Sequence, residues 1–192
     1  MARKQRSSIS VYMPPIPKIE IRNTGNWVKV ENGLTHLQPA IQHGYDIGVA
    51  KFSDKLIRII RKAIHTHKPP AGSGVQWAPL KRNHDGGIKR NHDGGIYYLK
   101  GDYYKAVGVY KYRNRILVGM PSGTKHYSGL TLNQLAIILE YGNENIPARP
   151  LWRPSLKSAG GPKELRNILM KEIRRSIMTR TGLKANQIRG LW

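Results

Sequence analysis

The chain has no cysteine and only one phenylalanine among its 192 residues. Without cysteine it can form no disulfide, thiolate metal site or thiol nucleophile. Acidic residues are scarce, 11 Asp and Glu against 33 Lys and Arg, which argues against paired-carboxylate chemistry. No apolar run approaches the ~20 residues of a membrane helix. Met1-Ala-Arg-Lys-Gln-Arg-Ser-Ser8 is basic with no apolar stretch behind it, so it does not read as a secretory signal. Apolar residues make up 39% of the chain, so a good part of it is expected to lie outside any core. Spacing reveals no phosphate-binding glycine loop and no serine with a placed histidine and aspartate. The expectation is a protein that is not an enzyme and takes no cofactor.

What is abundant is positive charge, a formal +22. Such an excess repels itself and calls for a polyanionic or acidic partner, with nucleic acid as the default. Residues 1–16 read as a basic, proline-rich arm that lies along a neighbouring subunit. Lys18-Ile-Glu-Ile-Arg22 and Trp27-Val-Lys-Val30 alternate on either side of a turn cluster, which predicts a hairpin. A long helix follows from about Leu37 to His67, with Thr35 as a cap and Pro39 in the first turn. Val49, Phe52, Leu56, Ile59, Ile60 and Ala63 mark its apolar face. Lys51, Lys55, Arg58, Arg61 and Lys62 occupy much of the rest, either solvated or turned toward DNA or an acidic neighbour.

Residues 68–96 read as a long loop or extended hairpin inserted into the domain. Within it Lys81-Arg-Asn-His-Asp-Gly-Gly-Ile88 recurs unchanged as Lys89-Arg-Asn-His-Asp-Gly-Gly-Ile96. Two copies of so short a unit make a local duplication rather than a solenoid. His84, Asp85, His92 and Asp93 are weak candidates for a divalent metal, which takes imidazole and carboxylate. Their flanking glycines give poor support for a site, and solvated turns are the favoured reading. Lys81, Arg82, Lys89 and Arg90 add cations for DNA or an acidic partner.

From Ile96 the pattern turns to sheet, with strands expected at 96–99, 106–112 and 115–120. The tyrosines among these basic residues read as half-buried sheet residues rather than stacking platforms. A short buried helix is expected next, capped by Thr131 with Gln134 completing a capping box and stopped at Gly142. Leu132, Leu135, Ala136 and Leu139 form its inner face. Pro147, Pro150 and Pro154 then predict a stiff, extended, exposed segment carrying Arg149 and Arg153. A last helix starts at Pro162, buries Leu165, Ile168, Leu169, Ile173 and Ile177, and stops at Gly182. Its Lys171, Arg174, Arg175 and Arg180 complement the helix dipole. Residues 183–192 read as a tail whose Leu191-Trp192 plugs a neighbour's pocket.

Glu140-Tyr-Gly142 followed by Ile146-Pro-Ala-Arg-Pro-Leu151 and Arg153-Pro154 resembles a signature of tailed-phage virion morphogenesis proteins, the tail-completion and head–tail joining (neck) family. Trp77-Ala-Pro-Leu80 resembles that family's W-x-P-L. Leu99-Lys-Gly101 through Val107 and on to Val118-Gly119 is similar to a third of its segments. Gly101 is followed here by Asp-Tyr-Tyr rather than by a small apolar residue. The matches span roughly residues 45–156.

The resemblance implies an α+β fold: a small antiparallel sheet packed against a long helix, with further C-terminal helices and extended arms at both ends. Residues 17–182 are expected to form one domain. It implies a ring of roughly six or twelve copies, because heterologous contacts around an axis close on themselves. It also implies contact with connector or head-closure proteins and with tail-tube or tail-terminator proteins. The location would be the virion neck or tail top, after assembly in the host cytoplasm. Genomic DNA would be met by charge without sequence reading. Ile146, Pro147, Arg149, Pro150, Trp152 and Arg153 are expected to dock onto a neighbouring subunit, so Arg149→Glu should leave the monomer folded and block incorporation into particles. Tail terminator and head-closure protein are variants of the same expectation. Outside the family, a non-specific nucleic-acid-binding protein is the alternative, and a metal-dependent nuclease a weaker one.

Overall fold

The computed structural model describes residues 9–10, 20–21, 27–79, 101–112, 115–121, 123–125, 129–182 and 188–189. The fold is α+β, with small antiparallel sheets, one long helix and further helices. The elements in chain order are β1 (Ile9–Ser10), β2 (Glu20–Ile21), α1 (Trp27–Thr66), α2 (Asp102–Ala106) and β3 (Gly108–Tyr112). Then come β4 (Arg115–Gly119), α3 (Leu132–Tyr141), α4 (Trp152–Ser158), α5 (Gly161–Thr181) and β5 (Ile188–Arg189). They fall into two compact units where the sequence suggests a single domain over 17–182. One unit holds residues 1–12 and 55–159, the other residues 13–54 and 160–192. The division falls inside α1, so no composition shift or linker announces it.

The expected helix is real but begins ten residues earlier, at Trp27 rather than Leu37. Trp27-Val-Lys-Val30 is therefore helical, and the hairpin expected there is not formed. Four alternating residues fit either period. Trp27, Val30, Leu34, Leu37 and Ile41 recur at spacings of three and four, and that longer pattern prevails. Pro39 consequently lies in the helix interior rather than its first turn. The helix ends where His67 turns to a positive φ of 55°, two residues before Pro69.

In the first unit β1, β4 and β3 form an antiparallel sheet in that order. Tyr112 faces Arg115 at the closed end of the β3–β4 hairpin, and Gly108 faces Gly119 at the other. Ile9 pairs with Val118 and Ser10 with Leu117. Part of the N-terminal arm thus adds a strand to its own sheet, a contact the sequence reading reserved for a neighbour. Leu56, Ile60, Ala63 and Ile64 of α1 are buried, as are Tyr103, Val107, Val118, Leu132, Ala136, Leu139, Leu151 and Trp152. The capping box of α3 forms as expected: Gln134 N–H donates to Thr131 Oγ1 at 3.2 Å, and Thr131 N–H to Gln134 Oε1 at 2.9 Å.

In the second unit β2 and β5 pair antiparallel, Glu20 opposite Arg189 and Ile21 opposite Ile188. Part of the C-terminal tail is therefore a strand of this small sheet, which meets α1 through β2. The expected stripe of α5 is buried at Leu165, Leu169, Ile173 and Ile177, and Ile168 is half-buried. Ala40 and Ile41 of α1 cluster with Ile173 and Ile177. The two helices run antiparallel, Gly44 opposite Ile173 and Gly48 opposite Leu169. They approach so closely that a Cβ on Gly44 would lie 2.5 Å from the Ile173 Cα, and one on Gly48 3.0 Å from the Leu169 Cα. Backbone cannot yield as a side-chain tip can. Gly44→Ala should therefore destabilise this unit by about 1–3 kcal/mol through overpacking. That loss comes despite the roughly 1 kcal/mol that alanine normally contributes over glycine in a helix. Thermal unfolding followed by circular dichroism measures it, and a raised midpoint would contradict the close approach.

Candidate functional site

The segment expected to project for docking is instead folded into the first unit by a set of hydrogen bonds. It begins at Gly142, whose φ is 76° and where a Cβ would lie 2.8 Å from the Ala148 nitrogen. Only glycine fits that turn. Asn143 closes the loop with its side chain, Oδ1 accepting from the N–H groups of Asn145 at 3.0 Å and Ile146 at 2.7 Å. The Arg149 N–H then returns to the Leu139 carbonyl at 2.6 Å. The chain so doubles back beside the end of α3.

Three side chains hold it there. Arg149 is buried, 5% exposed, and donates from Nε to the Ala78 carbonyl at 2.8 Å and from Nη2 to the Pro79 carbonyl at 3.0 Å. Trp77 answers from the other strand of the clasp, its indole N–H donating to the Pro150 carbonyl at 2.8 Å. Glu140 is buried at the end of α3 and reaches the start of α4. Its Oε2 accepts the N–H groups of Leu151 at 2.7 Å and Trp152 at 3.0 Å, and its Oε1 that of Arg153 at 3.3 Å. The next residue, Pro154, has no N–H to satisfy. One carboxylate thus takes the donors that the first turn of α4 leaves open, at the end of a helix where negative charge is favoured.

This corrects the expectation that Pro154 keeps the chain extended. Pro154 is the third residue of α4, where a missing N–H breaks no intrahelical bond. It also corrects the exposure of the segment. Trp152 is buried, 4% exposed, and donates its indole N–H to the Tyr103 hydroxyl at 3.2 Å. Burial pushes the Tyr103 phenol far up; the indole bond opposes that shift and the Glu140 charge adds to it. The phenol therefore stays a neutral acceptor for the indole. Arg149 and Trp152 spend their side chains inside the subunit. Pro147, Ala148 and Arg153 remain exposed, Ile146 and Pro150 half-buried. The Arg153 guanidinium lies over the exposed Tyr141 ring, 5.8 Å from its centre. Downstream, Lys157 and Ser158 bond the Ser73 and Ala71 carbonyls, extending the clasp along residues 71–79.

The expected cationic face of α1 is partly consumed. Arg61 Nη2 donates to the Val107 carbonyl at 2.9 Å, with the guanidinium over the Tyr104 ring. Lys51 in the second unit donates to Glu172 at 2.7 Å. That bond holds the Glu172 carboxyl below its ordinary range, burial opposing, with the charges of Lys51, Arg175 and Lys171 adding to the lowering. Lys62 and Arg58 are exposed and Lys55 is half-buried. Lys81, Arg82, Lys89 and Arg90, the weak metal candidates His84, Asp85, His92 and Asp93, and the strand expected at 96–99 lie outside the described residues. So do Met13–Pro17 and Leu191-Trp192. Among the described residues no cluster of three or more His, Asp or Glu could hold a metal ion, and no helix is long and apolar enough to cross a membrane.

Glu140, Trp77 and Tyr103 as working members of this cluster were missed by reasoning on local spacing. Their partners lie 11, 73 and 49 residues away. The available signal was the order of the short motifs along the chain. No protein-family model matches the chain, and no curated protein or solved structure matches it either.

Proposed function

We propose that the protein is a structural component of a long-tailed phage particle. In this reading it completes the tail or closes the neck as a ring of copies around the DNA channel. One observation carries the proposal: two of the three segments on which the resemblance rests, far apart in the chain, meet in a single bonded cluster. Trp77-Ala-Pro79 is bonded to Arg149-Pro150, and Glu140 to Leu151-Trp152-Arg153. Short matches that arose by chance would have no reason to bond with one another. The motif is then a clasp that shapes the subunit, and the residues it leaves outside do the docking. Tyr141, Ile146, Pro147 and Arg153 are the surface for a neighbouring copy. An aromatic ring and an arginine at the surface are the side chains most often found anchoring such contacts.

Light scattering after size exclusion, with negative-stain imaging, tests this. The expected species is a closed ring, or a subunit that enters a ring with connector and tail-tube proteins. A chain that stays monomeric alone and ignores both partners would sink the proposal. The alternative, a non-specific nucleic-acid-binding protein, is favoured by the net charge of +22. A stable monomer that binds RNA with a steep salt dependence would select it.

A further inference from the structure

We propose that the exposed face of α5 is a duplex-DNA contact surface. This deepens the proposed function by naming where DNA meets the subunit, although the DNA contact can be tested without the ring. The helix carries six cations, Lys163, Arg166, Lys171, Arg174, Arg175 and Arg180, against two carboxylates, Glu164 and Glu172. All six cations lie at exposed positions. Glu172 is buried and already neutralised, bonded to Lys51 at 2.7 Å with Arg175 at 3.9 Å. Glu164 is half-buried in the first turn.

Folding accounts for only part of this arrangement. Arg175 reaches Glu172, and the helix dipole, which favours cations only in the last turn, explains Arg180 but not Lys171 or the first-turn cations, so the expectation that it serves the whole C-terminal half holds for Arg180 alone. Lys163 and Arg166 sit near the N-terminus, where the dipole repels them. Lys171 and Arg175 are four apart, and Lys171 and Arg174 three apart, spacings at which like charges destabilise a helix. The stripe therefore costs the isolated subunit stability, and an external polyanion would relieve that cost.

The chemistry of the helix selects the polyanion. It contains no aromatic residue, so it offers no platform on which unpaired bases could stack. At 21 residues and 1.5 Å per residue it is a rod of about 31 Å, with cations from its second turn back to its first and on to its last. The major groove of B-form DNA admits such a helix between its phosphate walls, whereas that of an RNA duplex is too narrow. Phosphate contacts of this kind carry no sequence preference.

The test is anisotropy of a labelled DNA duplex of about 20 base pairs, titrated with the full-length protein at salt between about 50 and 200 mM. One variant carries Lys163→Gln, Arg166→Gln and Lys171→Gln. A charge-matched control carries Lys68→Gln, Lys105→Gln and Lys125→Gln, exposed lysines of the other unit. Each lost phosphate contact flattens the logarithmic salt slope by about 0.9. The α5 variant should therefore flatten it by roughly 2–3 and lose about 100-fold or more in affinity at 100 mM salt, the control less than about threefold. Equal losses in both, or no binding by the native chain at the lowest salt, overturn the assignment. Should the α5 variant misfold, lysine acetylation of the native complex decides. DNA should protect Lys163 and Lys171 and leave Lys68 and Lys125 reactive, and the reverse pattern overturns the assignment. Single-stranded DNA, an RNA duplex and polyglutamate serve as competitors. An equal preference for any of them removes the duplex-DNA commitment. Rings without DNA binding would remove this assignment alone, and α5-dependent binding without rings would remove only the neck reading.

Discussion

Glu140→Ala is expected to cost the first unit about 3–5 kcal/mol, among the largest losses any single substitution here should produce. Three backbone donors at the start of α4 converge on this one carboxylate, two of them on Oε2 within 3.0 Å. A buried donor left without a partner costs about 1–3 kcal/mol, and bonds to a charged acceptor are the stronger kind. Leu151 and Trp152 are buried, so water reaches their N–H groups poorly once the carboxylate is gone. Arg153 is exposed and recovers a water, which keeps the total below three full penalties. Glu140→Gln retains one carbonyl oxygen but turns an amide N–H toward the donors, and should fall between the two. Urea unfolding followed by circular dichroism gives the numbers. A Glu140→Ala protein within about 1 kcal/mol of the native chain would mean that the carboxylate does not hold α4.

Elements whose cause is local were legible in the sequence. The α3 cap is complete within four residues, Thr131 to Gln134, and it forms as read. The apolar stripes of α1 and α5 are set by periodicity alone, and their central members are buried. The errors arise where the cause is distant. Nothing near Gly44 or Gly48 says that a second helix backbone will lie within van der Waals reach, because α5 begins more than a hundred residues later. Nothing near Arg149 says that its acceptors are the carbonyls of Ala78 and Pro79. From the chain alone, an arginine among prolines looks like a surface residue, since arginine is seldom buried without partners. The proline pattern by itself predicts rigidity for gripping another molecule. It serves rigidity too, but much of the grip is within the subunit.

That change of role turns one substitution into a decisive experiment. As a docking residue, Arg149 could be replaced by glutamate with the fold intact and only assembly lost. As the clasp residue it cannot. Arg149→Glu would bury a carboxylate facing two carbonyl oxygens that now accept at 2.8 and 3.0 Å. An unpaired charge in such a place is more costly than any neutral loss, and the cost is met by unfolding or by expelling the segment. The expected result is a loss of at least about 4 kcal/mol, enough to take a marginal unit close to unfolded at room temperature. Arg149→Met keeps the stem and its packing and strips only the donors, so it should lose roughly 2–3 kcal/mol through the two orphaned carbonyls. Arg149→Lys should recover part of that, since an ammonium can serve one carbonyl well but lacks the planar fork that reaches both. The ranking native, Lys, Met, Glu in unfolding midpoint is therefore the signature of the clasp. A folded, fully stable Arg149→Glu chain that fails only to join particles would return the residue to the interface and leave the buried bonds without energetic meaning.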